Sequence, residues 1–134
     1  METVNQIEYN GALYNIQDAE AQKNLVYSQN EIDTGKIWID GKKIYRKVIN
    51  CGALPDNKEK NIPHNIKDYD IFLTIRGIAI YREANSFISL PFSAQENESI
   101  KITILGENVV IGTYIERQYF AESYAILEYT KTTN

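Results

Sequence analysis

The chain reads as a mainly β protein: an antiparallel β-sandwich or jelly-roll-like domain of about seven to eight short strands, preceded by a short, partly helical N-terminal leader. Three observations predict it. Apolar and polar residues alternate through Ile100-Lys101-Ile102-Thr103-Ile104, the period of a strand with one buried face. Turn signals recur between runs of this kind, at Asp40-Gly41, at Gly106-Glu107-Asn108 and around Pro55, Pro63 and Pro91. Ten tyrosines in 134 residues are an excess of a residue that suits strands and, through its amphipathic ring, contact surfaces.

Residues 1–34 read as a leader or attachment segment. Tyr9-Asn10-Gly11 is a turn, Leu13, Tyr14 and Ile16 are a small apolar cluster, and Gln17 to Leu25 has the makings of a helix of about two turns, too short to stand alone. Tyr27-Ser28-Gln29-Asn30-Glu31 is polar and reads as linker. The β domain, 35–134, opens with a hairpin. Ile37, Trp38 and Ile39 lead into Asp40-Gly41, and Ile44, Tyr45, Val48 and Ile49 lead away. Asp-Gly suits a two-residue type I′ turn because both central residues need positive φ.

From Asn50 to Asp70 two prolines and a polar run predict a loop, interrupted by a short strand near Ile62. Ile71, Leu73 and Ile75 then alternate as a strand, and Ile78 and Ile80 continue it on the opposite parity. A bulge or bend at Gly77 is the expected cause. Glu83 to Ser86 turns the chain into Phe87-Ile88-Ser89-Leu90, which Pro91 places at a sheet edge. The Ile100–Ile104 strand turns through Gly106-Glu107-Asn108 into Val109, Val110, Ile111 and Ile115. Glu116 to Glu122 is a polar-aromatic loop, and Tyr124, Ile126, Leu127 and Tyr129 make the last strand.

Composition narrows the function. A hydrophobic share of 43% and a charged share of 24% are those of an ordinary globular chain. The formal net charge of -4 gives no general attraction for nucleic acid or anionic membrane. Lys42, Lys43, Arg46 and Lys47 form one local basic group, read as solvated charges beside a turn. The N-terminus has no basic segment followed by an apolar run, so no signal peptide is expected, and no apolar stretch reaches the roughly 18 residues of a membrane span.

No catalytic set emerges. Cys51 and His64, one residue of each kind, are the sole thiol and imidazole, and neither sits in an activating motif; Cys51 reads as a buried small hydrophobe and His64 as a brace for the long loop. They are too few for a zinc site, and Asp68-Tyr69-Asp70 lacks the glycine and glutamate of a calcium loop, so no metal or cofactor is expected. The aromatics Trp38, Tyr81, Phe87, Tyr114, Tyr119 and Phe120 remain. Tyr119-Phe120, following Arg117 in a polar loop, is the pair least easily read as core, so Arg117, Tyr119, Phe120 and Trp38 are the candidate residues for contact with a glycan or partner.

The hairpin, the Gly52-Ala53-Leu54-Pro55 that follows, His64 after a polar run, and the ending Leu127-Glu128-Tyr129-Thr130-Lys131-Thr132 together resemble a β domain of tailed-bacteriophage virion proteins. These are tail fibres, head fibres or minor structural proteins. Leu13-Tyr14-Asn15-Ile16-Gln17-Asp18-Ala19 is similar to a segment that often precedes that domain. The resemblance implies a non-enzymatic virion component made in a bacterial cytoplasm. It would be a homotrimeric fibre or tip domain, joined to other virion proteins by its leader and binding a host-surface glycan. With so short a leader, a compact accessory protein or a piece of a longer one is expected in place of a shaft. A capsid-decorating head fibre without receptor binding and a glycan-cleaving virion enzyme are the alternatives.

Overall fold

Eight strands form and pair into two antiparallel sheets in a computed structural model that describes residues 26–95 and 97–133. They are β1 (Ile32–Ile37), β2 (Lys43–Asn50), β3 (Glu59–Pro63), β4 (Tyr69–Tyr81), β5 (Ser86–Leu90), β6 (Ile100–Leu105), β7 (Asn108–Thr113) and β8 (Glu122–Lys131). One sheet has the order β1-β2-β8-β4-β5, the other β3-β7-β6. The expected mainly β fold is present, and no helix occurs among the described residues. The helix expected over Gln17 to Leu25 lies outside them.

The last strand holds the larger sheet together. β8 lies between β2 and β4, pairing Tyr45 with Tyr129 on one side and Gly77 with Ala125 on the other. Its inward residues Ser123, Ala125, Leu127 and Tyr129 are fully buried. Near Ala125 the sheets are close, because Ala79 and Ala125 are small and Gly77 has no side chain. A Cβ at Gly77 would stand 2.5 Å from the Tyr124 carbonyl oxygen and 3.5 Å from Ile102 Cδ1 of the opposite sheet. Rings fill the other end. Tyr129 packs on Tyr45 and Phe72, and Phe72 on Tyr69 and His64, at centroid separations of 5.1–6.2 Å.

The fold departs from the local sequence pattern at four places. The first hairpin turns through three residues, with Trp38 N–H donating to Lys42 O at 2.8 Å and Gly41 N–H to Trp38 O at 2.9 Å. Within it Gly41 alone takes a positive φ, 87°, and the Asp40 carboxylate accepts from Lys42 N–H in place of entering the left-handed region. This is the bulged three-residue turn, not type I′. Second, Gly77 is regularly paired; β4 slips twice, between Tyr69 and Phe72, which face Lys131 and Tyr129, and between Phe72 and Thr74, which faces Glu128. Leu73 is the extra residue of the second slip. It puts Phe72, Ile75, Gly77 and Ala79 on the inner face, whereas the sequence pairs Leu73 with Ile75.

Third, β-structure starts at Ile32, and the polar stretch before it is fastened to the larger sheet. Ser28 O accepts from Val48 N–H, Val26 O from Arg46, and Glu31 accepts from the Tyr129 hydroxyl at 2.6 Å and Lys131 Nζ at 2.7 Å. Fourth, three of the four basic residues are engaged with the protein, and Lys43, 3.7 Å from Asp33, is the one that stays in solvent. Arg46 is 7% exposed, paired with Glu128 and set 4.3 Å over the Tyr27 ring; Lys47 donates to the His64 and Asn65 carbonyls, and Lys42 to Asp70. Pro91 does follow an edge strand, β5, as expected.

Candidate contact surface

At the end of the molecule where β8 begins, the chain crosses from β7 to β8 through residues 114–121, stapled at both sides. Thr113 Oγ1 donates to Pro55 O at 2.9 Å, Asn57 N–H to Ile115 O at 3.2 Å and Leu54 N–H to Phe120 O at 3.0 Å. The neighbouring loop is braced in turn by Lys60, which points inward from β3 and donates to the Cys51 and Ala53 carbonyls at 2.7 and 2.8 Å. The crossing therefore stands as a fixed crest. Phe120 turns down from it and Tyr119 turns out.

The candidate residues separate accordingly. Phe120 is 5% exposed and belongs to the core, so it is a foundation and no direct contact residue. Tyr119 is 43% exposed, and its ring sits 5.2 Å from Phe120 and 5.0 Å from Tyr81. Arg117 is a brace: its guanidinium donates to Glu98 O and lies 5.6 Å over the Phe92 ring, tying the crest to the chain between β5 and β6. Trp38 lies in the β1–β2 turn, where β8 ends, so a strand of ten residues, about 30 Å, separates it from Tyr119. The structure brings Tyr119, Phe120 and Arg117 together and leaves Trp38 at the opposite end.

Gln118 stands between two clefts. One, of about 450 Å³, is bounded by Ala53, Pro55, Asp56, Lys58 and Lys60. The other, of about 340 Å³, lies under Tyr119 and Tyr81 and is edged by Arg82, Glu83 and Glu122. Arg82 grips Glu122 with two parallel bonds, Nη2 to Oε1 at 2.9 Å and Nε to Oε2. The hydrogen bonds from Arg82 hold the Glu122 carboxyl below the usual carboxylate range, and the same contact raises the guanidinium. Sequence reading missed Arg82, Gln118 and Glu122. Arg82 and Glu122 meet only because β4 and β8 pair Ile80 with Glu122, a register no local pattern reports.

The thiol and the imidazole are occupied elsewhere. Burial pushes the Cys51 thiol up to about 11, which leaves it protonated and a poor nucleophile. His64 is fully buried. Its Nδ1 accepts from Ile66 N–H at 3.0 Å, so Nε2 carries the proton and donates to Gly106 O at 2.9 Å. Both ring nitrogens are thus used in bracing the β3–β4 loop against the β6–β7 turn. Among the described residues no group of His, Cys, Asp and Glu is placed to hold a metal ion.

The larger sheet also presents a surface of its own. Alternation with the core residues Ala79, Ala125, Leu127 and Ile49 turns Ile78, Ile80, Tyr124, Ile126 and Val48 to its outward face, half-buried, and Phe87 beside Ile80 is 58% exposed. The chain matches no protein-family model, and no curated protein or solved structure is significantly similar to it.

Proposed function

We propose that this chain is a non-enzymatic structural protein of a tailed-phage virion: a self-associating, trimeric fibre or tip domain. In this reading residues 1–34 join it to other virion proteins and the crest around Tyr119 faces the host cell. The observation that carries the reading is the outward apolar cluster of the larger sheet, Phe87, Ile80, Ile78 and Tyr124, which continues to Ile126 beside the exposed Arg76. A contiguous band of this kind is the mark of a surface meant to be covered. The resemblance of the hairpin and of the C-terminal strand supplies the virion class.

The chemistry at the crest supports contact over turnover. Hydrolysis of a glycosidic bond needs one carboxyl that stays protonated to act as acid, and the Arg82 fork keeps Glu122 ionised. The protonated Cys51 and the fully engaged His64 offer no nucleophile and base pair.

Light scattering coupled to size-exclusion chromatography tests the reading. The full chain is expected at three times its own mass, and Ile126→Lys, which puts a charge in the band, at one. A full-length chain that runs as a monomer throughout would overturn it.

A further inference from the structure

We infer that the cleft between Tyr119 and the Arg82–Glu122 pair is a subsite for a single neutral hexopyranose residue, an inference that rests on reading the crest as the host-facing end. A pyranose ring has two kinds of surface, a face of C–H groups and a rim of vicinal hydroxyls. The cleft supplies a partner for each. Tyr119 offers the flat apolar face. Its ring packs against both Tyr81, at 5.0 Å, and the buried Phe120, at 5.2 Å, in a cluster of three rings, yet 43% of the residue stays in solvent. An aromatic platform that is already immobile loses little entropy when a ring stacks on it.

The rim is met by planar polar groups held in place before any ligand arrives. Arg82 and Glu122 form a two-point fork, which uses two of the five guanidinium N–H groups and one lone pair on each carboxylate oxygen. What remains is an acceptor beside a donor, the pair that two adjacent hydroxyls require, one giving a proton and the other receiving one. Gln118 and Glu83 border the same cleft and add an amide and a carboxylate.

Charge and size select the class of sugar. Two carboxylates, Glu83 and Glu122, against one guanidinium leave the cleft net negative, which disfavours uronic and sialic acids and phosphorylated groups. A volume of about 340 Å³ is at the small end of the range of ligand pockets and suits one ring. A dozen or so ligand atoms held in an open cleft give a dissociation constant of about 1 mM or weaker for one subsite. Three copies on one particle end would bind a repeating polysaccharide far more tightly by multivalency.

Saturation-transfer NMR on the full chain, with the methyl glycosides of glucose, galactose, mannose and N-acetylglucosamine as probes and glucuronic acid as the charged control, tests this. At least one neutral glycoside is expected to bind with its C–H face towards the protein. Tyr119→Ala is expected to weaken that binding at least about tenfold, Tyr119→Phe to keep it, and Arg82→Met to weaken it with the fold unchanged by circular dichroism. No transfer to any neutral glycoside at tens of millimolar, or equal transfer in Tyr119→Ala and the parent chain, would overturn the inference. Light scattering on the same samples keeps the two claims apart: a trimer that binds no sugar removes the subsite alone, and a monomer that binds sugar removes the assembly alone.

Discussion

The two sheets face each other across one core, and their outward faces differ. On the smaller sheet, the central strand β7 carries Gly112 near its end, and the Lys101 side chain lies across the gap to reach Glu59 Oε2 at 2.6 Å. Around it stand Asn61 and Thr103 over the buried Val110, so the middle of this face satisfies itself and meets water, with the exposed Leu105 at its β6–β7 end. On the larger sheet the half over β2 is covered by the chain's own residues 26–31 across Arg46 and Glu128, and the half over β4 and β5 shows Ile78, Ile80 and Phe87. Among the described residues, one side of the sandwich thus carries its own polar cover and the other is covered only over β2. Strand alternation alone makes a face; what occupies its outward positions decides whether water or protein covers it.

Arg46 is where the comparison breaks hardest. Replacing it by Met leaves Glu128 without its buried partner and frees Val26, so stability in urea is expected to fall by about 3 kcal/mol. An unchanged midpoint would mean that residues 26–31 add nothing to the covered half. Ile126→Lys, on the band, is expected to weaken self-association at least about tenfold, about 1.4 kcal/mol or more, while Thr103→Lys on the smaller sheet leaves the mass in solution unaltered. Equal effects of the two would erase the difference between the faces.

Tyr129→Phe asks about the anchor at Glu31, with an expected loss of about 1 kcal/mol. It also carries a pH signature. Burial, and then the Glu31 carboxylate, raise the Tyr129 hydroxyl above its ordinary value of 10.0. A group raised in the folded state contributes its full stability below its unfolded value and loses it as pH climbs beyond, so stability is expected to decline from about pH 10 upward. In Tyr129→Phe that decline should flatten. Gly112→Ala has the smallest effect: its Cβ would fall 2.5 Å from Lys101 Cε, a flexible chain that can move aside, so the Glu59 contact is lost and the strand gains slightly.

How much of this was written locally follows from the same residues. Ile100, Ile102 and Ile104 announced β6 because one face of it is core and the other water. β4 misled because Leu73 slips the register, and a slip of one residue exchanges the faces without changing the composition. Residues 26–31 look like linker because they are fastened to the sheet by two backbone carbonyls, the Glu31 carboxylate and the Tyr27 ring under Arg46, contacts that make no hydrophobic alternation. The tyrosine excess pointed to contact surfaces, yet Tyr129 is fully buried and Tyr45 and Tyr69 pack against the core; on the crest Tyr114 and Tyr119 turn outward. The Arg82–Glu122 fork was invisible, since strand pairing and not spacing brings it together.

Whether further copies of the chain cover the outward face of the larger sheet shows in the melting temperature as a function of protein concentration. Association that accompanies folding makes the midpoint rise with concentration, whereas a monomer melts at one temperature. Over about a hundredfold range the parent chain is expected to show a steady rise of several degrees and Ile126→Lys none. A parent chain whose midpoint does not move would contradict the account.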